Sequence, residues 1–287
     1  MRLHHLAGGL LALLLSGCAT VHITEKTWAN PGDAVLAPKG LHALSTQGYT
    51  AESEYFTSSN GTTLHDLLLT RPDAKVVVLY LGGNVFQTGT AGLPIGQQME
   101  ALGVDAMLFD YPGYGGSEGR TSLADTHAAV IAAFDHLHSL PALQGKPIVV
   151  WGMSLGSVLA PMVITARPTQ AQALILESAP TNVSDWIHNQ VPWYATPFVH
   201  IDIAKNLQPI DNRTVLADWH KPLFILVGGK DNITPPVFAR KLYQASATPT
   251  DEKTLFIAPG LGHGEASSDP KAQDALRRFF SQVTDHG

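Results

Sequence analysis

The pentapeptide Gly-Met-Ser-Leu-Gly at positions 152–156 decides the fold, because of the sequence on either side of it. The run Pro147–Trp151 before it is apolar and rich in β-branched residues, which predicts a buried strand. The run Ser157–Ile164 after it predicts a helix. A serine between a strand and a helix in this pattern predicts a nucleophile elbow, a tight turn that lifts the Ser154 hydroxyl clear of the sheet. Taken alone, the pentapeptide also fits a plain glycine-rich loop.

Two further polar residues follow predicted strands later in the chain. Asp231 comes after the apolar run Pro222–Val227, and His263 lies in the loop after Thr254–Ala258. Open parallel α/β sheets place their sites at the carboxyl ends of the strands, so we expect the serine, aspartate and histidine to meet there. The alternatives are that Asp231 only caps the helix that begins near Pro235, and that His263 is an ordinary loop histidine.

These motifs identify a family resemblance. From about Tyr49 to Phe280 the chain resembles the α/β-hydrolase superfamily, in particular the BEM46-like group and the related serine aminopeptidases. The elements that carry it are Leu81–Asn84, Phe109–Gly119, the pentapeptide at 152–156, Gly229–Asp231 and Gly262-His263. The resemblance implies an α/β fold, with helices on both faces of a mostly parallel sheet and a small cap insert. One departure is Gly82, where the family usually has a histidine that supports the oxyanion loop.

The resemblance also implies a role for each site residue. Ser154 attacks a carbonyl carbon, His263 takes and returns the proton, and Asp231 orients the imidazole. The oxyanion hole takes the N–H of Leu155 and a second amide from the loop after the strand at Val76–Tyr80. By family position the second amide is that of Asn84, with Val85 next; the alternative is a turn that merely needs positive φ. This mechanism requires no cofactor. For Asp110 we predict a structural role, bonding local backbone amides.

Apolar strands alternate with helical segments along most of the chain, which predicts a parallel sheet covered on both faces. Tyr49–Thr57 and Thr63–Thr70 predict a hairpin around Asn60-Gly61. Helices are predicted near Leu93–Leu102 and over Leu123–Leu140. We expect residues 49–287 to form one hydrolase domain.

The alternation stops between residues 180 and 221, where we predict a cap insert. The segment contains Trp186 and Trp193 among several aromatic residues and prolines. We expect these two tryptophans to form an apolar ceiling over the substrate pocket. The alternative is that the aromatic residues only pack the insert onto the body.

The N-terminus predicts an export signal and a lipid anchor. Residues 1–18 combine a basic start with a short apolar core and end in Leu15-Ser16-Gly17-Cys18, which resembles the bacterial lipobox. Cys18 is the only cysteine, so no disulfide forms within the chain. The alternative is an ordinary cleaved signal peptide. Ala19 after the cysteine is typical of lipoproteins sent to the bacterial outer membrane, and residues 19–48 are predicted to be a tether and arm.

Composition excludes some partners and leaves three functions open. The formal net charge is −6 with scattered charges, so no basic footprint for nucleic acid is present. No histidine or cysteine spacing predicts a metal site. The favoured function is hydrolysis of carboxylic esters with medium acyl or lipid-like groups, by a protein that is anchored to the membrane. The alternatives are an aminopeptidase or amidase, for which Glu177 is a weak hint, and an inactive envelope-binding lipoprotein.

Overall fold

The computed structural model describes residues 19–28 and 48–285. Within these residues, ten strands form an eight-stranded sheet and a separate two-stranded ribbon. The strands are β1 (Ala19–Ile23), β2 (Thr50–Thr57), β3 (Thr63–Thr70), β4 (Val77–Leu81), β5 (Asp105–Phe109), β6 (Ile148–Met153), β7 (Ala171–Glu177), β8 (Val199–Ile203), β9 (Leu223–Gly228) and β10 (Lys253–Ala258). The large sheet has the order β2-β3-β5-β4-β6-β7-β9-β10. β3 runs antiparallel to both of its neighbours, β2 and β5, and all pairs from β5 to β10 are parallel.

Helices cover both faces of the large sheet. The helices of the described residues, including those of the cap, are α1 (Glu25–Trp28), α2 (Thr88–Leu102), α3 (Leu123–Ser139), α4 (Gly156–Ala166), α5 (Val183–Gln190), α6 (Asn212–Ala217), α7 (Pro236–Ala245) and α8 (Pro270–Asp285). Alternate residues of β4 point to opposite faces. Val77 and Leu79 pack with α3, α4 and α7, whereas Val78 and Tyr80 pack with α2 and α8. The predicted α/β architecture is therefore confirmed.

The helix predicted to begin near Leu93 begins five residues earlier, at Thr88. The residue before it, Gln87, makes no side-chain capping bond. Instead the Thr88 N–H donates to the carboxylate of Asp110 at 2.7 Å. A capping group supplied by a distant segment leaves no local signal, so the sequence pattern could not locate this start.

The cap insert lies between β7 and β9 and contains α5, β8 and α6. Its small core joins Val183, Ile187 and Leu207 with Ile23. Ile23 belongs to β1, which pairs in parallel with β8 from Ala19 opposite Val199 to Ile23 opposite Ile203. The start of the predicted tether is therefore a strand of the cap, which corrects that part of the prediction. The partner strand lies about 180 residues away in sequence, so local periodicity cannot reveal the pairing.

The predicted signal peptide, with Cys18, lies outside the described residues, as do residues 29–47 of the predicted arm. Across residues 19–28 and 48–285, no helix has the length and apolar character needed to cross a membrane. The apolar run of residues 10–15 falls in the part that is not described, so the anchoring prediction is unaffected.

Candidate active site

The turn after β6 holds Ser154 in a backbone conformation that side chains rarely adopt, with a φ of 52°. The Ser154 N–H donates to the Glu177 carbonyl oxygen at 3.0 Å, which fixes the turn to the neighbouring strand β7. Neither glycine of the pentapeptide has room for a side chain. A Cβ on Gly152 would overlap the Gly156 carbonyl oxygen, and a Cβ on Gly156 would overlap that of Leu81. The turn thus has the strained strand-to-helix geometry of a nucleophile elbow.

The structure brings Ser154, His263 and Asp231 together from the ends of β6, β10 and β9. The His263 Nε2 atom lies 2.8 Å from Ser154 Oγ, and His263 Nδ1 lies 2.9 Å from Asp231 Oδ2. With the proton on Nδ1 donated to the carboxylate, Nε2 is left to accept the serine proton. These distances fit a nucleophile, a base and a group that orients the base.

The carboxylate of Asp231 is buried and accepts several hydrogen bonds. The N–H groups of Ile233 and Thr234 donate to its Oδ1 at 2.9 and 2.8 Å, and the Thr234 hydroxyl donates to Oδ2 at 2.8 Å. Burial acts to raise the pKa of Asp231, but the bonds from His263 and Thr234 outweigh it and hold the pKa below its ordinary value. Asp231 is therefore a fixed negative charge that can stabilise a protonated His263.

A short turn lies beside Ser154 and carries the residues predicted for the second oxyanion donor. The Phe86 N–H donates to the Gly83 carbonyl oxygen at 3.0 Å, so residues 83–86 form a β-turn. A Cβ added to Gly83 would lie 3.6 Å from Ser154 Cβ, which places the turn against the serine. The turn's own hydrogen bond uses neither central amide, Asn84 nor Val85. Leu155, the other predicted donor, is the residue that precedes α4.

The glycine that replaces the family histidine has a structural explanation. A Cβ on Gly82 would overlap the ring of Phe86, so that ring occupies the space into which a side chain at position 82 would extend. The Gly82 carbonyl oxygen accepts hydrogen bonds from the Tyr111 hydroxyl at 2.8 Å and from the Gly156 N–H at 3.0 Å. The loop is therefore held by Phe86 packing and by these two bonds, without a histidine.

Two polar groups that the sequence analysis assigned no clear role support the loop after His263. The Ser178 hydroxyl accepts the Gly264 N–H at 3.0 Å, and the carboxylate of Glu177 accepts the Ser267 N–H at 3.0 Å. Glu177 is buried, and burial raises its pKa to about 7. A side chain so enclosed offers no surface charge for a substrate amine, which weakens the hint of a peptidase.

The chain contains a second serine–histidine–aspartate contact with nearly the same distances. His65 Nε2 lies 2.7 Å from Ser53 Oγ, and His65 Nδ1 lies 2.9 Å from Asp110 Oδ2. Ser53, however, lies within the edge strand β2, with neither an elbow nor a helix N-terminus beside it. Asp110 also accepts the N–H of Gly116 at 2.9 Å, which is the local bonding predicted for it, and the N–H of Thr88, in a distant segment, at 2.7 Å. These contacts favour a structural role for this set.

A narrow cavity opens beside Leu155, between the body and the cap. Its wall includes Tyr114, Leu159 and Leu207, together with the carboxylate-bearing Glu25 of α1. The Glu25 side chain accepts the Leu123 N–H at 3.1 Å and a hydrogen bond from Asn206. Glu25 lies in a short described segment that sequence analysis assigned to the arm, so no sequence signal connects it with this cavity.

Neither tryptophan predicted for the pocket lines this cavity. Trp186 packs against the small core of the cap. Trp193 is 85% exposed. Such exposure does not favour a ceiling over a buried pocket. For the metal prediction, the described residues contain no group of three or more histidine, cysteine, aspartate or glutamate side chains arranged to hold an ion.

Comparison with known proteins shows similarity to hydrolases over part of the chain. The sequence profile of the family described as serine aminopeptidase, S33, matches residues 72–211, which include Ser154 but end before Asp231 and His263. An uncharacterized protein of Mycobacterium tuberculosis is 31% identical over 187 residues, covering 64% of this chain and 63% of that protein. The lysophosphatidylserine lipase ABHD12 of Danio rerio is 26% identical over 233 residues, covering 74% of this chain and 59% of the lipase. The chain thus spans less than two thirds of the length of either relative.

Solved structures show the fold. The esterase Pf2001 of Pyrococcus furiosus superposes with a TM-score of 0.70 at 16% identity, covering 89% of this chain and all of the esterase (100%). Together with the strand order and the elbow, this likeness identifies the class: the chain has the α/β-hydrolase fold.

Proposed function

We propose that the protein is a serine hydrolase that cleaves carboxylic esters, within the BEM46-like group of the fold. The observation that carries the proposal is the continuous line of contacts from Ser154 Oγ through His263 to Asp231, at 2.8 and 2.9 Å. The strained elbow and the turn at residues 83–86 next to the serine support it. An inactive binding protein would have no need to keep this alignment.

In the proposed reaction, Ser154 Oγ attacks the carbonyl carbon of the ester while its proton passes to His263 Nε2. The imidazolium formed is stabilised by the charge of Asp231. The oxyanion accepts hydrogen bonds from the N–H of Leu155 and of Asn84, with Val85 as the alternative donor. His263 returns the proton to the leaving alcohol, and water then hydrolyses the acyl-enzyme with the same histidine as base.

Ester substrates fit the site better than peptides. A free substrate amine requires a carboxylate partner, because a buried cation without one is costly. Glu25 lines the cavity, but each of its oxygens accepts a hydrogen bond, from Leu123 and from Asn206, so a substrate amine would have to share this carboxylate with them. The acyl group requires only apolar surface, which Leu155, Leu159 and Tyr114 provide. Two proteins to which this chain is similar, the lipase ABHD12 and the esterase Pf2001, are named as enzymes that cleave esters, which also favours an ester substrate.

We further propose that Cys18 is lipidated and that the protein acts in the bacterial envelope, in the outer membrane, on a lipid-like ester. The lipobox at residues 15–18 supports this. So does the residue after the cysteine, Ala19, which is typical of lipoproteins sent to the outer membrane.

The ester proposal is tested with two substrate panels, p-nitrophenyl esters and aminoacyl p-nitroanilides, at equal concentration. We expect turnover of the esters and at least about a hundredfold lower kcat/KM for the anilides. A preference for the anilides would contradict the ester proposal and favour an aminopeptidase, in which Glu25 is the candidate ligand for the substrate amine.

A further inference from the structure

The cap exposes an uncharged aromatic turn, residues 192–198, which we call the aromatic turn. Trp193 is 85% exposed, Tyr194 58% and Phe198 50%. No residue from Val191 to Val199 is an acid, a base or a histidine. A contiguous patch of exposed apolar side chains often marks a surface that binds a protein partner or a membrane.

The aromatic turn is held in shape by its own hydrogen bonds. The Thr196 hydroxyl donates to the carbonyl oxygens of Trp193 and Pro192 at 2.9 and 3.3 Å, and the Phe198 N–H donates to the Ala195 carbonyl oxygen at 2.9 Å. The rings of Trp193 and Tyr194 pack edge to face, with their centroids 5.9 Å apart. The backbone of the turn is therefore held in shape, and the exposed rings of Trp193 and Tyr194 pack against each other.

The N-terminal segment enters the cap beside this turn. β1 and β8 are parallel and Ala19 lies opposite Val199, so both strands begin at the same end of the ribbon. Phe198 directly precedes β8, and Cys18 directly precedes β1. A lipid on Cys18 is thus attached at the end of the ribbon where the aromatic turn lies.

We propose that the aromatic turn rests on the bilayer in which the Cys18 lipid is anchored, so that the cap faces the membrane. The inference rests on the lipidation put forward under the proposed function. Tryptophan and tyrosine favour the membrane–water interface, where the ring is half apolar and half hydrated. The turn has no charge and the whole chain has a net charge of −6, so the partner is a zwitterionic phospholipid surface and not an anionic one. The lipid provides affinity, and the aromatic turn sets the orientation.

This orientation connects the membrane to the triad. The Asn189 side chain donates to the Asn232 carbonyl oxygen at 3.1 Å, and that of Gln190 donates to the Ile233 carbonyl oxygen at 3.0 Å. The segment just before the aromatic turn is therefore bonded to the loop that carries Asp231. A cap that faces the bilayer, where a lipid ester is located, is thus bonded directly to a loop of the proposed triad.

The test uses the full-length protein, purified from membranes, with acylation of Cys18 verified by mass spectrometry. It is reconstituted into phosphatidylcholine vesicles in which part of the lipid carries dibrominated acyl chains, which quench nearby tryptophans. We expect Trp193→Phe to remove more than half of the quenching. The matched variant Trp219→Phe removes a tryptophan that is buried in the body, and it should leave the quenching unchanged. Equal quenching in the two variants would overturn the proposal.

Hydrolysis provides the second readout. Trp193→Asp should lower the rate on a vesicle-borne ester at least fivefold and leave the rate on water-soluble p-nitrophenyl acetate unchanged. Equal effects on both rates would contradict a membrane role for the turn. If instead a second copy covers the turn, Trp193→Phe changes the sedimentation coefficient and not the quenching, which also overturns the proposal. Failure of the proposed chemistry would abolish both rates and leave the quenching result intact.

Discussion

The carboxylate of Glu177 accepts the backbone N–H of Ser267 at 3.0 Å, and this bond ties the end of β7 to the loop that carries His263. The Glu177 carbonyl oxygen also accepts the Ser154 N–H at 3.0 Å. One buried residue thus holds the segments that carry Ser154 and His263. Its burial raises the pKa to about 7, well above the ordinary value of 4.5.

We predict that Glu177 makes stability fall as pH rises. Between about pH 4.5 and 7 the unfolded chain has already lost the Glu177 proton while the folded chain keeps it, so each step up in pH favours unfolding. The full difference is on the order of 3 kcal/mol. Urea unfolding at pH 5 and pH 8 measures it: Glu177→Gln should lose less stability than the wild type between the two values. The same loss in both proteins would refute the prediction.

The packing of Phe86 over Gly82 predicts a coupled pair. Gly82→Ala places a methyl group into the Phe86 ring and should destabilise the fold by about 1–3 kcal/mol, because overpacking forces its neighbours apart. It should also lower kcat, because the hydrogen bonds accepted by the Gly82 carbonyl oxygen hold the turn at residues 83–86, which carries the proposed oxyanion donor. Combining it with Phe86→Ala makes room, so the double variant should be more stable than the sum of the single changes predicts. Strict additivity in a double-mutant cycle would contradict this packing.

The apolar cavity beside Leu155 predicts selectivity for acyl length. We expect kcat/KM to rise from acetate to about hexanoate, because each buried methylene contributes about 0.8 kcal/mol. Leu159→Ala widens the cavity and should shift the preference to longer chains. Trp193→Ala, outside the cavity, should leave the profile for soluble esters unchanged. If the dependence of kcat/KM on acyl length changed in Trp193→Ala and not in Leu159→Ala, the acyl pocket would be formed by the tryptophans of the cap and not by this cavity.

The lipobox predicts that Cys18 carries the anchor. The Cys18→Ala variant should incorporate no radiolabelled palmitate. The variant protein should also shift from the membrane fraction to unprocessed or soluble forms. Cells grown with labelled palmitate, followed by fractionation, provide the measurement. Label that persists in the variant would exclude Cys18 as the attachment site.

Much of the fold could be predicted because the relevant signals are local. The run before Ser154 is apolar on both faces, as a central parallel strand requires, and Asn60-Gly61 marks the hairpin between β2 and β3. Pairings between distant segments could not be predicted. Ala19–Ile23 is too short to show a periodicity, and its partner strand β8 follows about 180 residues later in the sequence.

The meeting of Ser154, Asp231 and His263 could be predicted from the sequence because each residue follows a strand end. Their surroundings could not, since side-chain direction depends on the finished packing. The aromatic content of the cap predicted an apolar ceiling over the substrate pocket, whereas Trp193 faces outward and Trp186 packs against the core of the cap. Glu25 reaches the cavity wall only because β1 joins the cap, a pairing that no local pattern signals.

The central claim is that Ser154, and not the similarly bonded Ser53, is the nucleophile. The most direct measurement is labelling with a fluorophosphonate probe, together with p-nitrophenyl ester turnover, in Ser154→Ala and in the matched variant Ser53→Ala. Both variants remove a serine hydroxyl that contacts a histidine, at 2.8 and 2.7 Å. We predict that Ser154→Ala loses all labelling and at least about a thousandfold in kcat, while Ser53→Ala keeps both. Full labelling and turnover in Ser154→Ala would contradict the account.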